Sequence, residues 1–253
     1  MTILVGLRCQ EGVVIGSDSS ATFTVAPTFN TIEQRVKKVF VIEDKVIVAG
    51  TGQVGFGQRF NAVIEKAWND GAFKGTDNTP LEIAKRLCAL GISDFPETSA
   101  PKGKYGALVA FPCGKKYCLC EFGTPDFQPE LKDENIWCVA MGSGQPIADP
   151  FLGLLRRVFW KDSPPKLSEG IFAVAWTLQH AIELNPGGIN GPAQIGTLSA
   201  SRGGELVARL LDDAELAEHL DSVKGAEEYL ARYPEILRGS AAAGEEIPSP
   251  PKG

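Results

Sequence analysis

The hydrophobic pattern of this chain changes period in blocks, and that grouping constrains its fold more than any single motif does. Residues 2–9 and 13–16 are apolar and partly β-branched around a Gln10-Glu11-Gly12 turn, which predicts an opening hairpin. A polar excursion runs from Ala21 to Gln34, and a second strand pair is expected over 36–42 and 45–49. The period then lengthens from 2 to 3.6. Phe56, Phe60, Val63 and Ala67 form the stripe of one helix. A second helix opens on Thr79 as N-cap, Pro80 at the first position and Glu82 as partner in a capping box, with Ile83, Leu87 and Leu90 facing inward. Strands are expected near 105–112, 116–122 and 136–141. Two more helices follow, striped by Ile147, Phe151, Leu154 and Val158, and by Ile171, Val174, Ala175, Leu178 and Ile182. Strands at 193–199 and 204–210 precede a last helix that starts at Asp212 with Glu215 and carries Leu216, Leu220, Val223 and Leu230.

The order is therefore ββββ-αα-βββ-αα-ββ-α. Strict alternation of strand and helix, the mark of a doubly wound parallel sheet, is missing. Two antiparallel sheets stacked on each other, each covered outside by a helix pair, satisfy the burial pattern. That is an α+β fold of four layers, αββα. The sandwich is expected over 2–210, a helical extension over 211–238 and a disordered tail over 239–253, where Gly, Ala, Ser, Glu and Pro dominate.

Composition excludes several function classes. With 43% apolar residues the 253-residue chain can build a sizeable core. No apolar run approaches the ~18 residues of a membrane span, and residues 1–15 lack the pattern of a secretory signal. A cytoplasmic location is the expectation. The net charge of −6 argues against nucleic acid or an anionic membrane as partner. Of six cysteines, Cys113, Cys118 and Cys120 lie close together. They form no C-x-x-C pair, however, and Cys118 and Cys120 suit one buried strand face. No metal and no cofactor are expected.

The histidine count narrows the chemistry further. His180 and His219 both fall inside helical patterns, so a triad that needs an imidazole on a loop is disfavoured. One nucleophile works without histidine: a terminal threonine or serine whose own α-amine is the base. The chain begins Met1-Thr2, and a small second residue permits removal of the methionine. A caged cation would make both the amine and the hydroxyl more reactive. Asp18 ends the second strand beside the start of the first, and Lys37-Lys38 opens the next, one lysine on each face. A backbone donor for a developing oxyanion is available where the 45–49 strand runs into Gly50-Thr51-Gly52.

The segments Thr-Ile-Leu-Val-Gly-Leu, Glu-Gly-Val-Val-Ile-Gly-Ser-Asp-Ser-Ser-Ala-Thr, Val-Lys-Lys-Val-Phe and Val-Ala-Gly-Thr-Gly, with Met141-Gly142-Ser143-Gly144, together resemble the proteasome β-subunit family. That family includes the bacterial HslV peptidase and the ancestral β-subunit types. The likeness covers most of 2–210 and implies the αββα fold of N-terminal-nucleophile hydrolases. It further implies Thr2 as nucleophile, Asp18 as carboxylate partner, Lys38 as the lysine, Gly50 as oxyanion glycine and Ser143 beside the terminal amine. The implied function is a self-compartmentalised threonine peptidase acting on polypeptides in homo-oligomeric rings or stacked assemblies, with room for an ATPase unfoldase. Extended substrates would add as a strand beside Ala21 and Gly50, and Val36, Val48 and Gly52 would line a pocket for apolar side chains.

The chain departs from the family in two places. About four extra residues separate Asp18 from Lys38, and the family's later aspartate and serine fall on Glu183 and Pro186. Glu183 would substitute with a longer reach, whereas Pro186 offers no hydroxyl. Three rival readings stand beside this one. Gly50 to Gly55 spells G-x-G-x-x-G with Asp70 downstream, as in dinucleotide sites, but 69–79 reads as loop rather than the required second strand. A non-catalytic ring subunit and a small-amide acylase are the others.

Overall fold

Side-chain alternation in the first strands sorts the molecule into layers. In β1 (Leu4–Arg8) and β2 (Gly12–Ser17), Leu4, Val13 and Ile15 point one way and Val5, Leu7 and Val14 the other. The first set meets Ile47, Ala49, Leu108, Ala110 and Leu119 of a second sheet. The second set meets Leu152, Val174 and Leu178 of two helices. The computed structural model describes residues 1–26, 29–74, 79–95, 105–161, 163–184 and 188–238. Pro186 and the tail over 239–253 lie outside them.

The remaining strands are β3 (Ser20–Ala26), β4 (Phe29–Arg35), β5 (Val39–Ile42), β6 (Val46–Gly52), β7 (Tyr105–Cys113), β8 (Lys116–Phe122), β9 (Pro129–Lys132), β10 (Cys138–Met141), β11 (Gln194–Ala200) and β12 (Leu206–Leu210). The helices are α1 (Val54–Asn69), α2 (Pro80–Asp94), α3 (Gln145–Phe159), α4 (Leu167–Leu184) and α5 (Asp213–Leu237). One sheet has the order β10-β1-β2-β11-β12 and the other β5-β6-β7-β8-β9, and every pairing in them is antiparallel. Helices α3 and α4 cover the first sheet, and α1 and α2 the second. The α+β, four-layer αββα architecture read from the element order is the one observed.

Helix α1 buries Phe56, Phe60, Ile64 and Ala67, so its stripe runs as expected apart from Val63, which is half-buried. At α2 the Thr79 hydroxyl accepts from the Glu82 N–H at 3.2 Å, while the Glu82 carboxylate turns to Lys85 at 3.0 Å. At α5 both halves of the box form: Asp212 accepts from the Glu215 N–H at 2.8 Å, and Glu215 from the Asp212 N–H at 3.1 Å. Helix α5 lies on α4, with Leu216 and Val223 in the same core and Glu227 accepting from the Trp176 indole at 2.8 Å. The expected extension over 211–238 thus shares its packing with the sandwich.

Several expectations change, among them Leu90 of α2 and Leu230 of α5, which are both exposed. The excursion over 21–34 is a hairpin, β3 paired with β4, standing apart from both sheets. Its polar sequence carries no core-facing alternation because neither large sheet includes it. The short strand β9 was not expected; it is an edge strand, and edge positions tolerate polar sequence such as Pro-Glu-Leu-Lys. In α3 the buried residues are Ala148, Leu152 and Leu155, one position on from the expected stripe, which leaves Leu154 and Val158 exposed.

Candidate active site

Strand ends bring the candidate residues together. Leu4 pairs with both Ser17 and Met141, so the chain just before β1 runs between the end of β2 and the end of β10. Asp18 follows β2, and Ser143 follows β10. Val39 pairs with Ala49, which places Lys38, before β5, next to Gly50 in β6. All five segments therefore meet at one end of the stacked sheets.

At the centre lies Thr2, nine-tenths buried. The Lys38 ammonium donates to Thr2 Oγ1 at 3.1 Å and to the two Asp18 oxygens at 2.8 and 2.9 Å. Asp18 is fully buried and also accepts from the backbone N–H of Ile3 at 3.1 Å and of Ser20 at 3.0 Å. A buried carboxylate is tolerable only when hydrogen-bonded and paired, and here every requirement is met by named donors. Burial holds the Lys38 ammonium below the ordinary lysine range, against the opposing pull of Asp18. The Met1 amine is likewise lowered, by burial first and by the Lys38 charge second.

The backbone of Thr2 is held from the other side. Its N–H donates to Ser143 Oγ at 3.0 Å, and its carbonyl accepts from the Ser143 hydroxyl at 3.3 Å and the Gly144 N–H at 3.1 Å. The Thr2 hydroxyl donates to the Met1 carbonyl at 2.8 Å, which also accepts from Lys38 at 3.2 Å. Gly142 adopts φ +90°, and a Cβ there would lie 2.4 Å from the Thr2 carbonyl oxygen. Glycine is required at this position by both conformation and space.

A cavity of about 270 Å³ opens beside Thr2. Ala21, Val36, Gly50 and Gly52, four of the residues expected to contact substrate, are among its lining. Val48 is not: it is buried beneath α1 and α2 with Phe60 and Val109. Because side chains alternate along β6, Gly50 and Val48 share a face, but Val48 lies deeper in the sheet. Glu183 is also placed elsewhere. It sits on the exposed side of α4, accepts from Gln179 one turn earlier, and faces α5 across a groove with Leu220 and Lys224. The expectation that it stands in for the family's aspartate at the amine is therefore corrected.

Gln194 was not singled out by its sequence context, yet it secures the lysine. Its carbonyl oxygen accepts from the N–H of Lys38 at 2.9 Å and of Val39 at 3.3 Å, and its amide donates to the Val36 carbonyl at 2.7 Å. The segment between β4 and β5 is thereby tied to the first residue of β11. No motif signals such a role, since a glutamine opening a strand is ordinary. Ser17 is similar: its hydroxyl donates to the Ile3 carbonyl at 2.9 Å. Of the cysteines, burial pushes the Cys118 thiol up to about 12, and Cys120 also lies in the apolar layer under α1 and α2. His180 stacks on Phe151 at 4.2 Å in α4, away from Thr2.

The αββα sandwich sets Thr2 against a buried lysine–aspartate pair at one end of its stacked sheets. The model of the Proteasome subunit family matches residues 2–103, the segment that carries Thr2, Asp18, Lys38 and Gly50. Among solved structures, the fold is similar to that of Anbu (ancestral beta-subunit) from Yersinia bercovieri, with a TM-score of 0.68 at 12% identity over 97% of this chain and 100% of that one. Comparison with curated proteins gives no match. Among the described residues no helix is long and apolar enough to cross a membrane.

Proposed function

We propose that the chain is an N-terminal threonine peptidase of a self-compartmentalised, proteasome-like assembly. The observation that carries this reading is the Lys38 ammonium, 3.1 Å from Thr2 Oγ1 and 2.8 Å from buried Asp18. A cation so placed stabilises the oxygen as it loses its proton, and its carboxylate keeps it from moving toward solvent.

In this mechanism, removal of Met1 frees the Thr2 amine. Thr2 Oγ1 attacks the scissile carbonyl carbon, and its proton passes to that amine directly or through a water. The Gly50 N–H donates to the tetrahedral oxyanion, an interaction worth ~10²–10³ in rate in comparable sites. The protonated amine then gives its proton to the leaving nitrogen, and an ester on Thr2 remains. Water attacks the ester, the amine accepting its proton, and the acid product leaves with Thr2 restored. Ser143, already bonded to the Thr2 nitrogen at 3.0 Å, orients the amine throughout. Homo-oligomeric ring or stacked assembly and a cytoplasmic setting belong to the same proposal.

Intact-mass analysis with a peptide-hydrolysis assay on wild type and Thr2→Ala tests it. The expected result is a mass lacking Met1 and hydrolysis abolished by the substitution. Retained Met1 together with full activity in Thr2→Ala would refute the catalytic role.

A further inference from the structure

Tyr105, the first residue of β7, is nine-tenths buried, yet its hydroxyl has no hydrogen-bond partner among the described residues. Leaving a buried hydroxyl unpaired costs about 1–3 kcal/mol. The ring cannot swing away to find water, because Phe60, Phe95 and Phe127 surround it at 5.9 to 6.0 Å between centroids. The ring instead reaches the wall of the cavity beside Thr2, with its hydroxyl just behind that wall and next to two residues without side chains. A Cβ on Gly50 would lie 2.5 Å from the hydroxyl, and one on Gly57 3.8 Å.

Among the described residues the charged groups on the rest of that wall have one sign. None of them is an aspartate or glutamate, whereas Lys37 and the neutral amides of Gln58 and Asn61 line the cavity. The first turn of the 16-residue α1 also faces it, with no acidic residue in that turn to offset the partial positive charge of the helix start. Such a wall carries positive charge and hydrogen-bond donors that suit an acceptor.

We propose that this cavity selects, on the acyl side of the cleaved bond, residues whose side chains end in a hydrogen-bond acceptor, glutamate and glutamine, with the Tyr105 hydroxyl as the buried donor. The inference rests on the peptidase reading above and departs from the apolar preference expected of the sequence. It makes Tyr105 a specificity-determining residue: it receives the side-chain oxygen and takes no part in the bond cleavage.

Binding of product peptides tests the preference without turnover, so failure here is distinct from failure of the Thr2→Ala assay. Calorimetry would compare acetyl-Ala-Ala-Glu, acetyl-Ala-Ala-Gln and acetyl-Ala-Ala-Leu on the wild type, Tyr105→Phe and Gly57→Ala. The acceptor-ended peptides are expected to bind the wild type roughly tenfold tighter than the leucine peptide, the scale of one buried hydrogen bond. Tyr105→Phe should bring the three within about threefold, as expected for loss of that one bond. Gly57→Ala should do the same with Tyr105 intact, since the added methyl screens the hydroxyl while favouring the helix. Equal or tighter binding of the leucine peptide by the wild type, or a preference that survives in Tyr105→Phe, would overturn the inference.

Discussion

Replacing Asp18 by Asn separates the charge of the site from its shape, and the consequence can be worked out in advance. In the native arrangement the Lys38 ammonium lies 2.8 and 2.9 Å from the two carboxylate oxygens, which also accept from Ile3 and Ser20. Asparagine keeps one oxygen, so one backbone N–H is left unpaired, at about 1–3 kcal/mol. The lysine then becomes a buried cation without its anion. Its cost has a ceiling, because the ammonium can release its proton instead. With an unfolded pKa of ~10.4, neutralising it at pH 7 costs about 4.6 kcal/mol, and at pH 9 only about 1.9 kcal/mol.

The sign of the pH dependence follows. In the folded variant Lys38 is neutral while the unfolded chain still binds the proton, so the variant gains stability as pH rises toward the unfolded value, by up to ~1.4 kcal/mol per unit. Wild-type Lys38 is itself held below the ordinary range by burial. Its own contribution therefore grows only between its lowered folded value and ~10.4, and is flat below that window. Urea unfolding at several pH values from 7 to 9 should show the gap between wild type and Asp18→Asn closing by up to about 3 kcal/mol across the range. Adding Lys38→Met to Asp18→Asn should remove the slope. A gap that does not change with pH, or the same slope in the double variant, would refute the reasoning.

Two further substitutions probe how the site is held. Gln194→Ala removes three hydrogen bonds around Lys38 without touching Thr2. Loss of about 1–3 kcal/mol in urea unfolding is expected, with peptide hydrolysis lowered through the misplaced lysine. Unchanged stability would show that water replaces the amide. Gly142→Ala sets a Cβ 2.4 Å from the Thr2 carbonyl at a φ of +90°, so Thr2 must shift. A lower melting temperature and loss of hydrolysis by ~10²-fold are expected, the scale on which a misplaced reacting group loses rate. Wild-type rates in this variant would argue against Thr2 as the reacting residue.

The parts of the fold that were legible in the sequence are those whose burial pattern is dictated by one neighbour. Phe56, Phe60 and Ala67 in α1, or Val13 and Ile15 in β2, have a single apolar layer to meet, and period alone locates them. In α3 the apolar residues cover two adjacent faces, and period cannot say which is inward. The structure buries Ala148, Leu152 and Leu155 and leaves Leu154 and Val158 out. The β3–β4 hairpin escaped because its strands pair with each other and with neither large sheet. Within the site, Asp18 and one of the neighbouring lysines, Lys37 or Lys38, are legible as a charge pair at strand ends, and the family resemblance selects Lys38. Gln194 and Tyr105 are not: one bonds to backbone groups, and the hydroxyl of the other has no partner among the described residues. Glu183 was assigned by spacing from a family pattern, and the α4 surface on which it falls faces α5.

The close fixing of Thr2 has a practical consequence for handling the protein. Its nitrogen is pinned to Ser143 and its carbonyl to Gly144, and Met1 ahead of it lines the mouth of the cavity. A purification handle placed ahead of Met1 would thread that opening and act as a plug. One attached after α5, whose last turns are exposed, would leave the entrance clear.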